Sequence, residues 1–455
     1  MRLRVVACVL AVIGPAMPVY AMSLRDAVQL AVSTHPTVGA ARAAERARIW
    51  DFKAARSRLY PSLDVSGDAG AQFVDQPNYL TTEEDDRWDF RRMISAELTQ
   101  VLFDGWDRSN DIYRSAATVD AAALRLLERS EALGLDAVEA YIDVQRHGQI
   151  LGVAHTNRKR LQSILGLVRD LNAGGKVPRS DVDQAIERVA AADAIIAQIE
   201  QALDEAKAKF RQVIGKEPKK LEAVAYPRSL PASPQTAYNT ALENNPAIQA
   251  AGAEAEAAYY AKEQAKSSYY PTISLQGRTS YGYDIDGVEG KDVDVTGLVV
   301  LSWNLFNGNA TSYRTQALGE EFNRARYQQE ESARKIRETI DRTYAAYVIG
   351  KERVEAAQQQ VNSNQSLVKQ YREEYKLAKR SLLDLLDSET ALFNSQFQLA
   401  SAKAVRLFSA HHLLAATGRL LNSLGVTAPA ESHVQVPDLS KTSPFNVDIE
   451  PLRLE

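Results

Sequence analysis

The sequence predicts a mixed membrane protein: four two-faced β-strands per chain that close into a barrel only by association, and very long coiled-coil α-helices, laid out as an internal tandem duplication. Three observations carry this. In RLYPSLDVSGDAGAQF, residues 58–73, every odd position from Leu63 to Phe73 is apolar or Gly and every even one is polar or Gly, the period of a strand with one apolar face. The stretch recurs as SYYPTISLQGRTSYGY at 268–283. A sustained seven-residue apolar repeat follows the strands of the first copy, the mark of helices packed side by side.

At the N-terminus, Arg2 and Arg4 precede an apolar run from Val5 to Ile13, and Val19-Tyr20-Ala21 offers a small-x-small cleavage site. This is the layout of a secretory signal peptide, residues 1–21. The one cysteine, Cys8, lies inside it, so the mature chain is expected to carry no thiol, disulfide or acyl anchor. No later apolar run approaches the ~20 residues of a membrane helix. With 25% charged residues and a net charge of −4, the chain shows no polybasic footprint for nucleic acid.

The first copy occupies 22–226 and the second 227–425. Pro61 and Pro271 are 210 apart, and Ala27, Ala31, Pro36, Ala40, Ala41, Ala55, Ser57 and Tyr60 meet identical residues at that offset. Downstream the offset is 203: LFDG at 102–105 answers LFNG at 305–308, Asp181 answers Asp384, and Gly215 answers Gly418. Pro218, Pro227, Pro231 and Pro234 mark the joint. Each copy starts with an Ala-rich helix (36–58; 246–268), ended by the Tyr-Pro that opens a strand. Strands are expected at 61–75, 88–103, 271–285 and 292–306. The second is interrupted on its apolar face by Arg92.

From Ile112, strides of 3.5 residues reach 116, 119, 123, 126, 130, 133, 137, 140, 144, 147, 151, 154, 158, 161, 165 and 168; only Ser130, His147 and Arg158 are not Ala, Val, Leu or Ile. A helix from 107 to 171 would be roughly 100 Å long. Turns follow at 172–178 and 377–381, and second helices return to Gly215 and Gly418. The tail, 426–455, has four prolines and no period, and is expected to be extended or disordered.

Four strands facing lipid would leave backbone groups unpaired in hydrocarbon, so closure needs more than one chain: two give eight strands, three give twelve. The opposite faces carry Ser, Asp, Thr, Gln and Asn, which suits a watery lumen. The duplication, the Tyr-Pro strand openings, the LF[DN]G turns and YKLAKRSLLDLLDSETAL at 375–392 resemble the TolC family of outer-membrane efflux ducts, over about 23–425. The resemblance implies a homotrimer with one twelve-stranded barrel in the lipid of a Gram-negative outer membrane. A helical tunnel would cross the periplasm and stay shut at its inner end until recruited. The implied partners are a periplasmic adaptor (membrane fusion) protein and an inner-membrane ABC or RND-type pump.

The resemblance also assigns site residues. Asp384 and Asp387 match a carboxylate ring at the periplasmic gate, and Tyr375, Arg380 and Asp181 match links that hold the tips shut. Spacing alone offers another reading, since Ser381-Leu382-Leu383-Asp384 and Ser180-Asp181-Val182-Asp183 look like helix capping boxes; the two roles can coexist. Gln184 stands where the first copy would repeat Asp387. No cofactor or metal site is expected: the six histidines are scattered, and AGGK at 173–176 lacks the Walker spacing. No nucleophile, base and orienting group can be nominated, so a non-enzyme is expected. Trp88, Phe90, Tyr281, Tyr283 and Trp303 suit an interfacial belt. The competing class is a periplasmic coiled-coil scaffold whose strands pack on protein.

Overall fold

The computed structural model describes residues 21–74, 87–286 and 288–433. The signal peptide apart from Ala21, the first hairpin loop and most of the tail therefore lie outside the described residues. Elements run in the order α1 (Leu24–Thr34), α2 (Pro36–Ser57), β1 (Ser62–Val74), β2 (Arg87–Phe103), α3 (Asp107–Ala173), α4 (Arg179–Ile214), α5 (Pro234–Asn244), α6 (Pro246–Ala265), β3 (Thr272–Ile285), β4 (Val288–Ser302), α7 (Ala310–Lys376), α8 (Leu382–Ala416) and α9 (Leu420–Ser423). Two short helices, two strands, one helix of 67 residues and a returning helix thus occur twice.

Proline placement explains the helix starts. Pro36, Pro234 and Pro246 sit in the first turn, where a missing N–H costs nothing, behind caps His35, Ser233 and Asn245. Both strand-to-helix turns use paired left-handed residues, Gly105-Trp106 and Gly308-Asn309. At the C-terminal ends of α4 and α8 the chain reverses through Gly215 and Gly418, also left-handed.

The sheet has order β1-β2-β3-β4 and is antiparallel throughout. Its register puts Leu63, Leu98, Gly277 and Gly297 in one lateral row and Val65, Ala96, Thr279 and Val295 in the next. This apolar face is bare: Val65 is 66% exposed, Val295 78% and Val299 70%. The sheet does not pack its face on the helices. One expected boundary shifts. β4 spans Val288–Ser302, four residues earlier than the predicted 292–306, because β3 begins only after Pro271 and the ladder ends at Thr272↔Ser302. Trp303 to Phe306 therefore follow the strand; Trp303 donates instead to the Tyr269 carbonyl at 3.2 Å.

No described helix is long and apolar enough to cross a membrane. The α3 seam is buried or half-buried at all of its predicted positions. A second stripe, including Val138, Tyr141 and Ile150, is buried as well, because α3 lies against α2, α4, α6 and α8. In contrast, α7 buries only Thr311, Ile340, Thr343, Gly350, Val361, Val368 and Tyr375.

The largest core joins the two ends of the chain: Leu24, Val28 and Val32 of α1 meet Tyr141 of α3, Phe210 of α4, and Leu414, Leu420, Leu421 and Val426. The first residues of the predicted tail are thus docked. Gln29 and Thr427 exchange two hydrogen bonds, and Glu431 pairs with Arg46 at 3.2 Å.

Inside this core, Glu131 of α3 accepts from the Leu420 and Leu421 amides at 3.1 and 3.3 Å. Burial pushes its carboxyl up to about 7, against the two amides that favour the anion. The folded state therefore holds a proton that the unfolded chain releases near pH ~4.5, and stability falls as pH rises from there to about 7. Glu131→Gln keeps an acceptor and drops the charge. It is expected to raise stability at pH 8 by up to ~3 kcal/mol, with the gap closing by about pH 5 in thermal melts. A pH-independent gap would show that the charge is not the cause.

Candidate functional site

The chain's two hairpin tips lie at the far end from the sheet. The first closes through Gly175 in the left-handed region, with Lys176 N–H donating to the Leu171 carbonyl at 2.9 Å. The second repeats this with Lys379 N–H to the Glu374 carbonyl at 2.9 Å, but places Ala378 at φ 55 where the first tip has glycine. That conformation costs an Ala ~1–2 kcal/mol. The tips are packed together by Leu161, Ile164 and Val168 of α3, Val182 of α4, and Tyr375, Leu382, Leu385 and Leu386 of the second pair.

The residues singled out from sequence fall here, with differing partners. Ser381 caps α8: its Oγ accepts from Asp384 N–H at 3.1 Å and donates to Asp384 Oδ2 at 2.7 Å. The serine half of the box at Ser381 is therefore formed, while the Asp384 carboxylate takes the Ser381 hydroxyl rather than its backbone N–H. Its counterpart at Ser180 is not, because Pro178 takes the N-cap of α4 and leaves Ser180 within the first turn. Asp387, one turn beyond Asp384, is exposed and accepts from Arg188 of α4 at 3.3 Å. Tyr375 is buried with its hydroxyl unbonded. Burial and then the nearby Asp181 carboxylate push its phenol above the usual range. Arg380 does not reach Asp181. It donates to Glu374 at 3.0 Å and lies over the Tyr371 ring at 4.3 Å.

One tie escaped the sequence reading. Arg160 of α3 donates from Nε to Glu389 Oε2 of α8 at 2.7 Å, and the Glu389 side chain is 0% exposed. Desolvation raises the Glu389 carboxyl above its ordinary range despite Arg160. Arg372 of α7 reaches the Arg160 carbonyl at 3.5 Å. The signal was an acid inside the apolar stripe Leu382, Leu385, Leu386, Leu392 and Phe393 of α8. With Arg188–Asp387, this gives two ionic ties between the first helix pair and the second. Each joins residues about 200 or more apart in sequence.

Two helix pairs fastened at their tips, under a bare two-faced sheet, are matched by a model of the outer membrane efflux protein family at residues 27–216 and again at 237–419. The chain belongs to that family. Among relatives of this outer membrane efflux protein is Outer membrane efflux protein BepC of Brucella suis, 26% identical over 399 residues, 88% of this chain and 86% of that one. The alkaline protease secretion protein AprF of Pseudomonas aeruginosa is 23% identical over 397 residues, 84% of this chain and 82% of that one. Among solved structures, the outer-membrane channel OprN superposes with a TM-score of 0.76 at 19% identity, covering 87% of this chain and 90% of that one. The open state of the Neisseria gonorrhoeae MtrE channel gives 0.73 at 16%, covering 88% and 89%. The fold is thus that of these channels. This efflux protein is located in the outer membrane and extends into the periplasm.

Proposed function

We propose that this efflux protein is one subunit of a passive exit duct with no chemistry of its own, formed by two related copies of one unit, 22–226 and 227–425. Three chains close their sheets into one twelve-stranded barrel, and α3, α4, α7 and α8 continue it as a periplasmic tunnel gated at the tips. The observation that carries this is the open sheet. Its outer strands β1 and β4 each pair on one side only, and its apolar face meets no helix. Such a sheet is satisfied in hydrocarbon only by further copies of itself. A scaffold packing its strands on its own helices would have covered that face.

The duct needs energy from an inner-membrane ABC or RND-type pump, reached through a periplasmic adaptor. Its relatives BepC and AprF are named for efflux and for protease secretion, so the cargo is a small molecule or an unfolded protein delivered by the pump. At the gate, three copies of Asp384 and Asp387 place six carboxylates around the axis, favouring cations.

The test is single-channel conductance of the purified mature protein in planar bilayers. A pore is expected, blocked by multivalent cations; absence of any conductance would refute the duct. Asp384→Ala with Asp387→Ala is expected to weaken the block by at least about tenfold. Unchanged block would remove the ring.

A further inference from the structure

Arg92 stands on the apolar face of β2, between Phe90 and Ile94, where a barrel strand normally carries hydrocarbon. The register places it in one lateral row with Ala69, Tyr283 and Lys291, so two cations flank one tyrosine on the outward surface. Along β4 this row lies ten residues from Leu301. At ~3.3 Å per residue and a tilt of ~40°, that is about 25 Å of height, the span of the apolar band. The helices leave from the other end, so the row sits at the outer water–lipid boundary. A cation is costly at the midplane of such a barrel and nearly free at its edge.

We propose that Arg92 and Lys291, with the hydroxyls of Tyr281 and Tyr283, bind the phosphate-bearing headgroup of an outer-leaflet lipid. The proposal rests on the outer-membrane placement of the sheet. Four observations build the site. The Arg92 guanidinium is held over the Tyr283 ring at 5.4 Å and beside Phe90 at 6.0 Å, with its side chain 56% exposed. Asp284, left-handed at a bulge, accepts from Gly290 N–H at 3.0 Å and reaches Arg92 at 3.5 Å, so it steadies one edge of the fork. Lys291 Nζ rests over the Tyr281 ring at 5.2 Å and enters no ion pair among the described residues. Glu289, nearer the turn, has an interaction of its own.

The Tyr281 and Tyr283 hydroxyls are 3.1 Å apart; one donates to the other, and the acceptor keeps its own O–H for an outside group. A planar fork, an ammonium and a hydroxyl, all facing acyl chains, match a phosphate monoester anchored at that depth. The opposite face at this level is already paired: Arg91 binds Asp68 and Asp286.

The test is native mass spectrometry of the detergent-solubilised assembly with bis-phosphorylated lipid A and with its dephosphorylated counterpart. Wild type is expected to retain the phosphorylated lipid, and R92Q/K291Q to lose affinity by about tenfold or more. R91Q, one residue away on the other face, should bind as wild type. Conductance and heat-modifiable migration of the same preparations separate loss of the lipid site from loss of the duct. If the double variant does not assemble, K291Q alone is read, with about threefold weaker retention expected. Equal retention by the variants, equal binding of the dephosphorylated lipid, or inorganic phosphate alone competing at concentrations equal to the lipid's would each overturn the assignment to a lipid headgroup.

Discussion

Glu389→Ala is expected to leave the duct open at rest, with single-channel conductance several-fold above wild type and a melt lowered by roughly 3 kcal/mol. The figure is the low end for breaking a buried ion pair, because Arg160 keeps 22% of its side chain exposed. The pair is imperfect. Glu389 Oε1 and Arg160 Nη2 have no hydrogen-bond partner, and burial of the carboxylate outweighs the attraction of Arg160. It therefore holds geometry more than it adds stability. Glu389→Gln, which keeps an acceptor for Arg160, should stay near wild type in both readouts. Arg160→Met with Glu389→Leu should melt no lower than wild type. A closed, wild-type conductance in Glu389→Ala would show that the tips are held by other contacts, with Arg188–Asp387 the next to break.

Gly418→Ala should abolish recovery of assembled protein, whereas Gly215→Ala should cost about 1–2 kcal/mol. Both glycines end a returning helix in the left-handed region, at φ +70 and +82. The difference is what lies beside them. A Cβ at Gly215 meets nothing, but one at Gly418 falls onto the Asn244 carbonyl oxygen and comes within 2.9 Å of Asn245 Cα. The obstacle is backbone and cannot swing away. Asn245 is itself a clamp: its amide donates to the Ala416 carbonyl at 2.9 Å while its oxygen caps α6 at Ala247. Shifting it costs a buried hydrogen bond and a cap, beyond the ~4 kcal/mol that marks severe substitutions. Comparable melts for the two variants would refute the contrast.

What was legible in the sequence follows from range. The α3 seam could be read because its period persists over many turns, and even its Ser130 is buried, donating to the Leu126 carbonyl at 2.8 Å. The strand faces could be read from a period of two, whereas the end of β4 depended on where its partner began. Ser180 resembled a cap by pattern, but Pro178 had already set the helix start. The ties Arg160–Glu389 and Arg188–Asp387 were invisible, since no local pattern says which residue 229 or 199 positions away will be opposite. Arg92 was visible as an exception on its strand; its lateral neighbour Lys291 emerged only from the register.

The core that seats α1 against Leu420, Leu421 and Val426 has a kinetic meaning. An exported chain cannot complete its largest hydrophobic cluster until residues some four hundred positions after α1 have joined it. Polypeptides terminated before Leu414 are therefore expected to remain more open to proteolysis around α1 than the full chain. Closure of that cluster thereby waits on the last segment of the second copy.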